Sequence, residues 1–124
     1  MNSPVLVHEE PAAFDVLAWR HLPDQGGIEL QRDQPGKVHP WHRHGVHETL
    51  VVLSGAMILE FVDPAGSGAG ARRALDAGPG ARIELPAGTV HQSTAGSDGC
   101  VYFIVPAGGK AAETTFLDTQ PAAS

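Results

Sequence analysis

The chain contains a single cysteine, Cys100, so an internal disulfide is excluded and nothing points to an oxidising compartment. Basic residues are scarce: 8 Lys and Arg against 14 Asp and Glu give a formal charge of −6. Only Arg72-Arg73 forms an adjacent basic pair, and a phosphate backbone needs more than that, so nucleic acid is excluded as a partner. Long apolar runs are missing, so there is no membrane span. The start, MNSPVLVHEEP, has neither a basic region nor an apolar stretch and does not read as a signal peptide. These absences together give the expectation of a soluble, cytoplasmic protein. Uninterrupted helical periodicity is also lacking, because 15 Gly and 10 Pro in 124 residues break the chain too often.

What remains is enough for one core. Hydrophobic residues make up 42% and charged residues 18%, the balance of a globular chain, and the length suits one domain over 1–124. The apolar segments are short and rich in β-branched residues: Val16–Trp19, Gly27–Leu30, Glu48–Leu53, Ala56–Val62, Arg82–Leu85, Gly99–Val105 and Thr114–Leu117. Turn sequences separate them, among them Gln34-Pro35-Gly36, Ser54-Gly55, Ala77-Gly78-Pro79-Gly80 and Pro86-Ala87-Gly88. Asp63–Ala71 (DPAGSGAGA) reads as a flexible hairpin tip and 118–124 as a frayed tail. Many short strands with regular turns predict an all-β barrel or sandwich. Six Arg to two Lys, with abundant Ala and Gly, fit a bacterial source.

Seven histidines are present, and four fall in His39-Pro40-Trp41-His42-Arg43-His44-Gly45-Val46-His47-Glu48. On a strand, His42 and His44 share a face, because side chains alternate with period 2. Two neighbouring imidazoles are costly to bury unless something satisfies them, and a divalent metal does so through their neutral nitrogens. Glu48, after the turn at Gly45, can return a carboxylate to the same point, and His91 can add a fourth ligand. By parity, His39 and His47 face away from His42 and His44 or precede the strand, so they receive no ligand role. Arg43 faces outward for the same reason, and Glu60, interrupting an apolar run, is expected either on the solvent face or at the pocket as an acid or base. On Gly99–Val105, either Cys100, Tyr102 and Ile104 or Val101, Phe103 and Val105 must face inward; parity alone does not choose.

The spacing of these residues resembles a known family. Gly36, five residues, His42, one, His44, three, Glu48, six, Gly55 is followed by Gly80, five, Pro86, one, Gly88, two, His91. These segments, 36–55 and 80–91, are similar to the two motifs of the cupin superfamily, in the same order. One departure is Ala95, where the second motif usually carries a structural Asn. Residues Pro40-Trp41-His42 and Val52-Leu53-Ser54-Gly55 also resemble the zinc-binding cupin module of bacterial anti-sigma factors. The resemblance implies a cupin-type antiparallel jelly-roll β-barrel, with His42, His44, Glu48 and His91 holding one divalent ion (Fe, Mn, Ni or Zn). It also implies a homodimer, for which residues 14–31 are the expected contact.

Three imidazoles and one carboxylate leave a divalent ion with a net single positive charge and, if octahedral, two open positions. That suits a small neutral, aromatic or ketone-type substrate and a dioxygenase, with Glu48 as a base and Tyr102 as a candidate proton donor. The alternatives are a non-redox isomerase, lyase or cyclase, a metal-binding sensor module, or a metal-free cupin using His42 or His44 as a base.

Overall fold

A computed structural model describes residues 3–9, 12–63, 72–118 and 121. The described elements are β1 (Val5–His8), α1 (Phe14–His21), β2 (Glu29–Asp33), β3 (Val38–His44), β4 (Glu48–Val62), β5 (Arg72–Ala77), β6 (Ala81–Leu85), β7 (His91–Pro106), a 3-10 turn (Ala107–Gly109) and β8 (Thr114–Phe116). Every strand pairing among the described residues is antiparallel. Most of the expected hairpin tip (64–71) and of the expected frayed tail (119–120 and 122–124) lies outside the described residues.

Two long strands organise the sheets. The first part of β4 pairs with β6 and with the end of β7, whereas its second part pairs with β5 and the start of β7. β7 pairs with β3 at its start and β2 at its end. The result is two five-stranded layers, β1-β6-β4-β7-β2 and β5-β4-β7-β3-β8, that share β4 and β7. This is a jelly-roll arrangement, and the sheet does not close on itself.

The sharing requires β4 and β7 to bend. The β4–β7 register shifts between Val52 and Ser54 and again between Gly55 and Met57. Gly55 has φ 71°, and a Cβ there would lie 2.1 Å from the Gly99 carbonyl oxygen. Gly99 has φ 73°, and a Cβ there would lie 2.6 Å from the Asp33 carbonyl oxygen. Three backbones therefore pass at contact distance where only glycine fits. The bend also flips parity: Leu50 and Val52 face the core before it, and Met57, Leu59 and Phe61 after it. The expected pair of strands Glu48–Leu53 and Ala56–Val62 is thus one strand, and Ser54-Gly55 is a bend within it, not a turn.

One expectation is overturned outright. Val16–Trp19 lies in a helix, not a strand. The segment FDVLAWRH holds good helix formers, an acid in its first turn and basic residues in its last. Its buried Leu17 packs on Val51 and Phe103, and Phe14 lies 5.3 Å from the Phe103 ring. This helix covers the outer face of one layer. Leu50 and Val52 face the inner core and Val51 faces α1, which is why ETLVVL shows no alternation. The same logic settles the last strong strand: Cys100 and Tyr102 join the inner core, and Phe103 faces the helix. Strands β1 and β5 were not anticipated.

Gly55→Ala should lower stability by about 1–3 kcal/mol, from left-handed strain plus the clash with Gly99. Gly27→Ala, with nothing within 4 Å, is the control and should stay within about 0.5 kcal/mol. Urea midpoints at constant slope would read both.

Candidate metal centre

His42 and His91 are direct cross-strand partners on β3 and β7, and His44 sits two residues along β3. Their rings stand 4.1 Å (His42–His91), 4.7 Å (His42–His44) and 5.2 Å (His44–His91) apart between centroids. One nitrogen from each lies within 4.8 Å of the others, and this is the group of metal-ligating type found among the described residues. Glu48 is not part of that group. It opens β4, is buried, and places Oε1 3.4 Å from His44 Nε2. The structure therefore gathers three of the four expected ligands closely and sets the fourth beside one of them.

Local backbone fixes how two of the rings point. His91 Nδ1 donates to the Thr89 carbonyl at 2.8 Å, and His42 Nδ1 donates to the Pro40 carbonyl at 2.5 Å. A carbonyl only accepts, so both rings carry their proton on Nδ1 and leave a lone pair on Nε2. The turn before β7 holds its own end of this arrangement: Thr89 Oγ1 donates to the Pro86 carbonyl, and the Gly88 amide donates to the His44 carbonyl. His44 Nδ1 lies 3.1 Å from Thr114 Oγ1 on β8, leaving Nε2 toward Glu48.

Electrostatics favour the neutral form. Burial holds His91 down to about 3, with the neighbouring His42 and His44 rings adding to it. Burial and the His42 ring hold His44 down to about 4. Burial lowers His42 as well, against the Pro40 bond. Burial pushes Glu48 up to about 7, helped by Glu29. Neutral imidazoles crowded in a polar cleft, with lone pairs facing one another, are the donor set a divalent cation takes, so these residues fit a metal.

The centre forms one wall of a cavity of about 250 Å³. Leu50, Leu59, Ile104 and Phe116 give it apolar walls, with Phe116 5.7 Å from the His42 ring. No Lys or Arg is found among its described lining residues. Tyr102 also lines the cavity, but its hydroxyl donates to Asp33 Oδ2 at 2.9 Å. Burial and the Asp33 carboxylate push its pKa upward. Arg43 is exposed, and Glu60 pairs with Arg72 and Gln92 away from the cavity.

Sequence reasoning missed His39, which lines the cavity, and Asp33, which binds it. Parity placed His39 on the opposite face. The β3–β7 register shifts between His39 and His42, so counting by two fails there. Trp41 (4% exposed) and His42 are consecutive yet both buried, Trp41 beneath Arg72 and His42 at the centre. Pro40 is the signal that could have warned of this, since proline within a strand marks an edge or a bulge. His47 instead approaches Glu84 at 3.5 Å, away from the centre.

An antiparallel jelly roll with a histidine cluster at its cavity defines the class, and comparison with known proteins identifies the family. The cupin domain profile matches residues 29–106, more than half of the chain. The chain belongs to the cupin family. Among solved structures it is similar to oxalate decarboxylase from Bacillus subtilis, with 25% identity over 73% of this chain and 23% of that one, and a TM-score of 0.64. It is similar to an oxalate decarboxylase–formate complex from Lactobacillus farciminis, with 16% identity over 73% of this chain and 26% of that one, and a TM-score of 0.62. Pumpkin seed globulin is also similar, with 16% identity over 72% of this chain and 22% of that one, and a TM-score of 0.61. The chain thus spans about a quarter of the length of these proteins. No curated protein matches it. No helix among the described residues is long and apolar enough to cross a membrane.

The histidine shifts predict acid sensitivity of the metal-free protein. Depressed folded pKa values mean that the unfolded state binds more protons below about pH 6.5, so stability falls as pH drops toward 4. Glu48 has the opposite sign: its raised folded pKa contributes stability in acid that is lost as pH rises through about 7. Three histidines outweigh one carboxylate, so the urea midpoint should fall on acidification between these limits. Glu48→Gln should steepen that fall.

Proposed function

We propose that the protein is a metal-dependent cupin enzyme that transforms a small neutral molecule, with dioxygenation as its reaction. One observation carries the reading: three imidazoles present their nitrogens within 4.8 Å of one another beside a cavity of about 250 Å³, large enough for a substrate. A purely structural site has no need of such a cavity. A divalent ion bound there would supply Lewis acidity and, if it is a redox metal, a route for electrons between substrate and dioxygen.

The chain's own residues then have defined roles. His42, His44 and His91 hold the ion through nitrogens freed by their backbone or side-chain partners, and Glu48 completes the set. Leu50, Leu59, Ile104 and Phe116 exclude water from the substrate. Without Lys or Arg among the described lining residues, the cavity has no side-chain cation for a dianion, which favours a neutral aromatic or ketone-type substrate.

A second reading, a non-redox lyase or isomerase, draws support from the similarity to oxalate decarboxylases. The same lack of cations weighs against a small dicarboxylate as the substrate. Assembly as a homodimer through residues 14–31 belongs to the proposal as well: Trp19 is 81% exposed, and Phe14 and Leu30, within the same segment, are also exposed.

Elemental analysis of tag-free protein should find about one equivalent of iron, manganese or nickel per chain. His91→Ala should reduce that by at least about tenfold, in line with the loss of a direct ligand. Oxygen uptake with enolisable ketones or catechols should depend on the metal. Tightly held zinc without turnover would overturn the enzyme reading in favour of a sensor module, and full turnover by chelated protein would overturn the metal.

A further inference from the structure

The cavity has a second polar pole that the three-histidine centre leaves unused. Asp33 ends β2 and is 6% exposed. Its carboxylate accepts three donors: Gln31 Nε2 on Oδ1 at 3.1 Å, Tyr102 hydroxyl on Oδ2 at 2.9 Å, and His39 Nε2 against both oxygens at 3.0 and 2.9 Å. Burial pushes the Asp33 pKa up, but these bonds outweigh it and hold it below its ordinary value. An ionised carboxylate only accepts, so His39 Nε2 carries a proton, and in the neutral ring the lone pair is then on Nδ1.

That nitrogen has no hydrogen-bond partner among the described residues, and His39 lines the same cavity as His42, His44 and Glu48. The His39 side chain is partly exposed, so a ligand can reach it. In a cavity-lining histidine, a carboxylate that fixes one ring nitrogen and leaves the other without a protein partner is the arrangement that makes an imidazole a base. Tyr102 acts through Asp33 and is a positioning residue. Other ionisable groups around His39 are Glu29 on β2, His42 and His44 on β3, Glu48 on β4 and His91 on β7.

We propose that His39, held by Asp33, is the proton acceptor of the cavity for a neutral, enolisable or phenolic bidentate ligand. The ligand's O–H bond breaks and an N–H bond forms at His39 Nδ1. The electron pair stays on the ligand oxygen, and a divalent ion held by His42, His44 and His91 would supply the positive charge that stabilises this anion. The imidazolium faces the Asp33 carboxylate, and no oxidant or reductant is consumed. The ligand class rests on the function proposed above, whereas the acceptor rests on the Asp33–His39–Tyr102 geometry.

The test is calorimetric titration of zinc-loaded protein with acetylacetone, a neutral enolisable chelator, in two buffers of different ionisation enthalpy. Wild-type protein should keep the proton, so the heat should not depend on the buffer. His39→Gln, with zinc content unchanged, should release about one proton per site to the buffer. Equal release by wild type and His39→Gln, or release that appears only in Glu48→Gln, would overturn the proposal.

Nitrogen-15 NMR of the histidine rings in the same protein, with or without zinc, gives an independent decision. The Nε2–H tautomer is expected at His39, lost in Asp33→Asn, and an Nδ1–H tautomer in the wild type would overturn the proposal. If acetylacetone fails to bind wild-type protein, the proposed substrate class fails, and the tautomer then decides for or against the acceptor.

Discussion

The pairing of β4 with β7 is the constraint on which the rest of the molecule hangs. Each strand serves both layers, so each must bend where the layers part. The bend sits where Gly55 meets Gly99 and Gly99 meets the end of β2, at distances that leave no room for a Cβ. From that crossing, one half of β7 carries His91 to the centre beside β3, and the other half carries Tyr102 to Asp33. The two poles of the cavity are therefore joined through the bent β7, whose start lies beside β3 and whose end lies beside β2.

Desolvation then decides the chemistry of the poles. Three imidazoles share a buried wall, so each is pushed toward its neutral form by burial and by its neighbours. Backbone carbonyls occupy one nitrogen of His42 and of His91. What is left is a set of inward lone pairs, repulsive alone and well matched to a cation. At the other pole a buried carboxylate has three donors and stays charged. Similar burial thus yields opposite outcomes, because the histidines meet like groups and the aspartate meets hydrogen-bond donors.

Much of this was legible in the residues. The spacing of Gly36, His42, His44, Glu48 and Gly55, with Gly80, Pro86, Gly88 and His91, resembled the cupin motifs, and both the fold and the family are as that resemblance implied. The outward placing of Arg43 followed from period-2 alternation and agrees with its exposure, and of the two places open to Glu60, the structure gives the one away from the cavity, paired with Arg72. Alternation failed where the backbone departs from a regular strand. His39 was assigned to the wrong face because a bulge intervenes before His42. Val16–Trp19 was assigned to a strand because a short apolar run carries no length to distinguish it from one buried turn of helix.

The sequence by itself determined the class of fold and the residues that cluster at the centre, because short-range periodicity, turn glycines and motif spacing are written in neighbouring positions. Only the tertiary structure decided that β4 is a single bent strand, that a helix covers the face bearing Val51 and Phe103, and that Asp33 bonds both His39 and Tyr102 of the cavity wall. Those facts depend on register between strands up to 69 positions apart, as in Asp33 and Tyr102. Register is set by bulges and by close backbone contact, which local patterning does not encode.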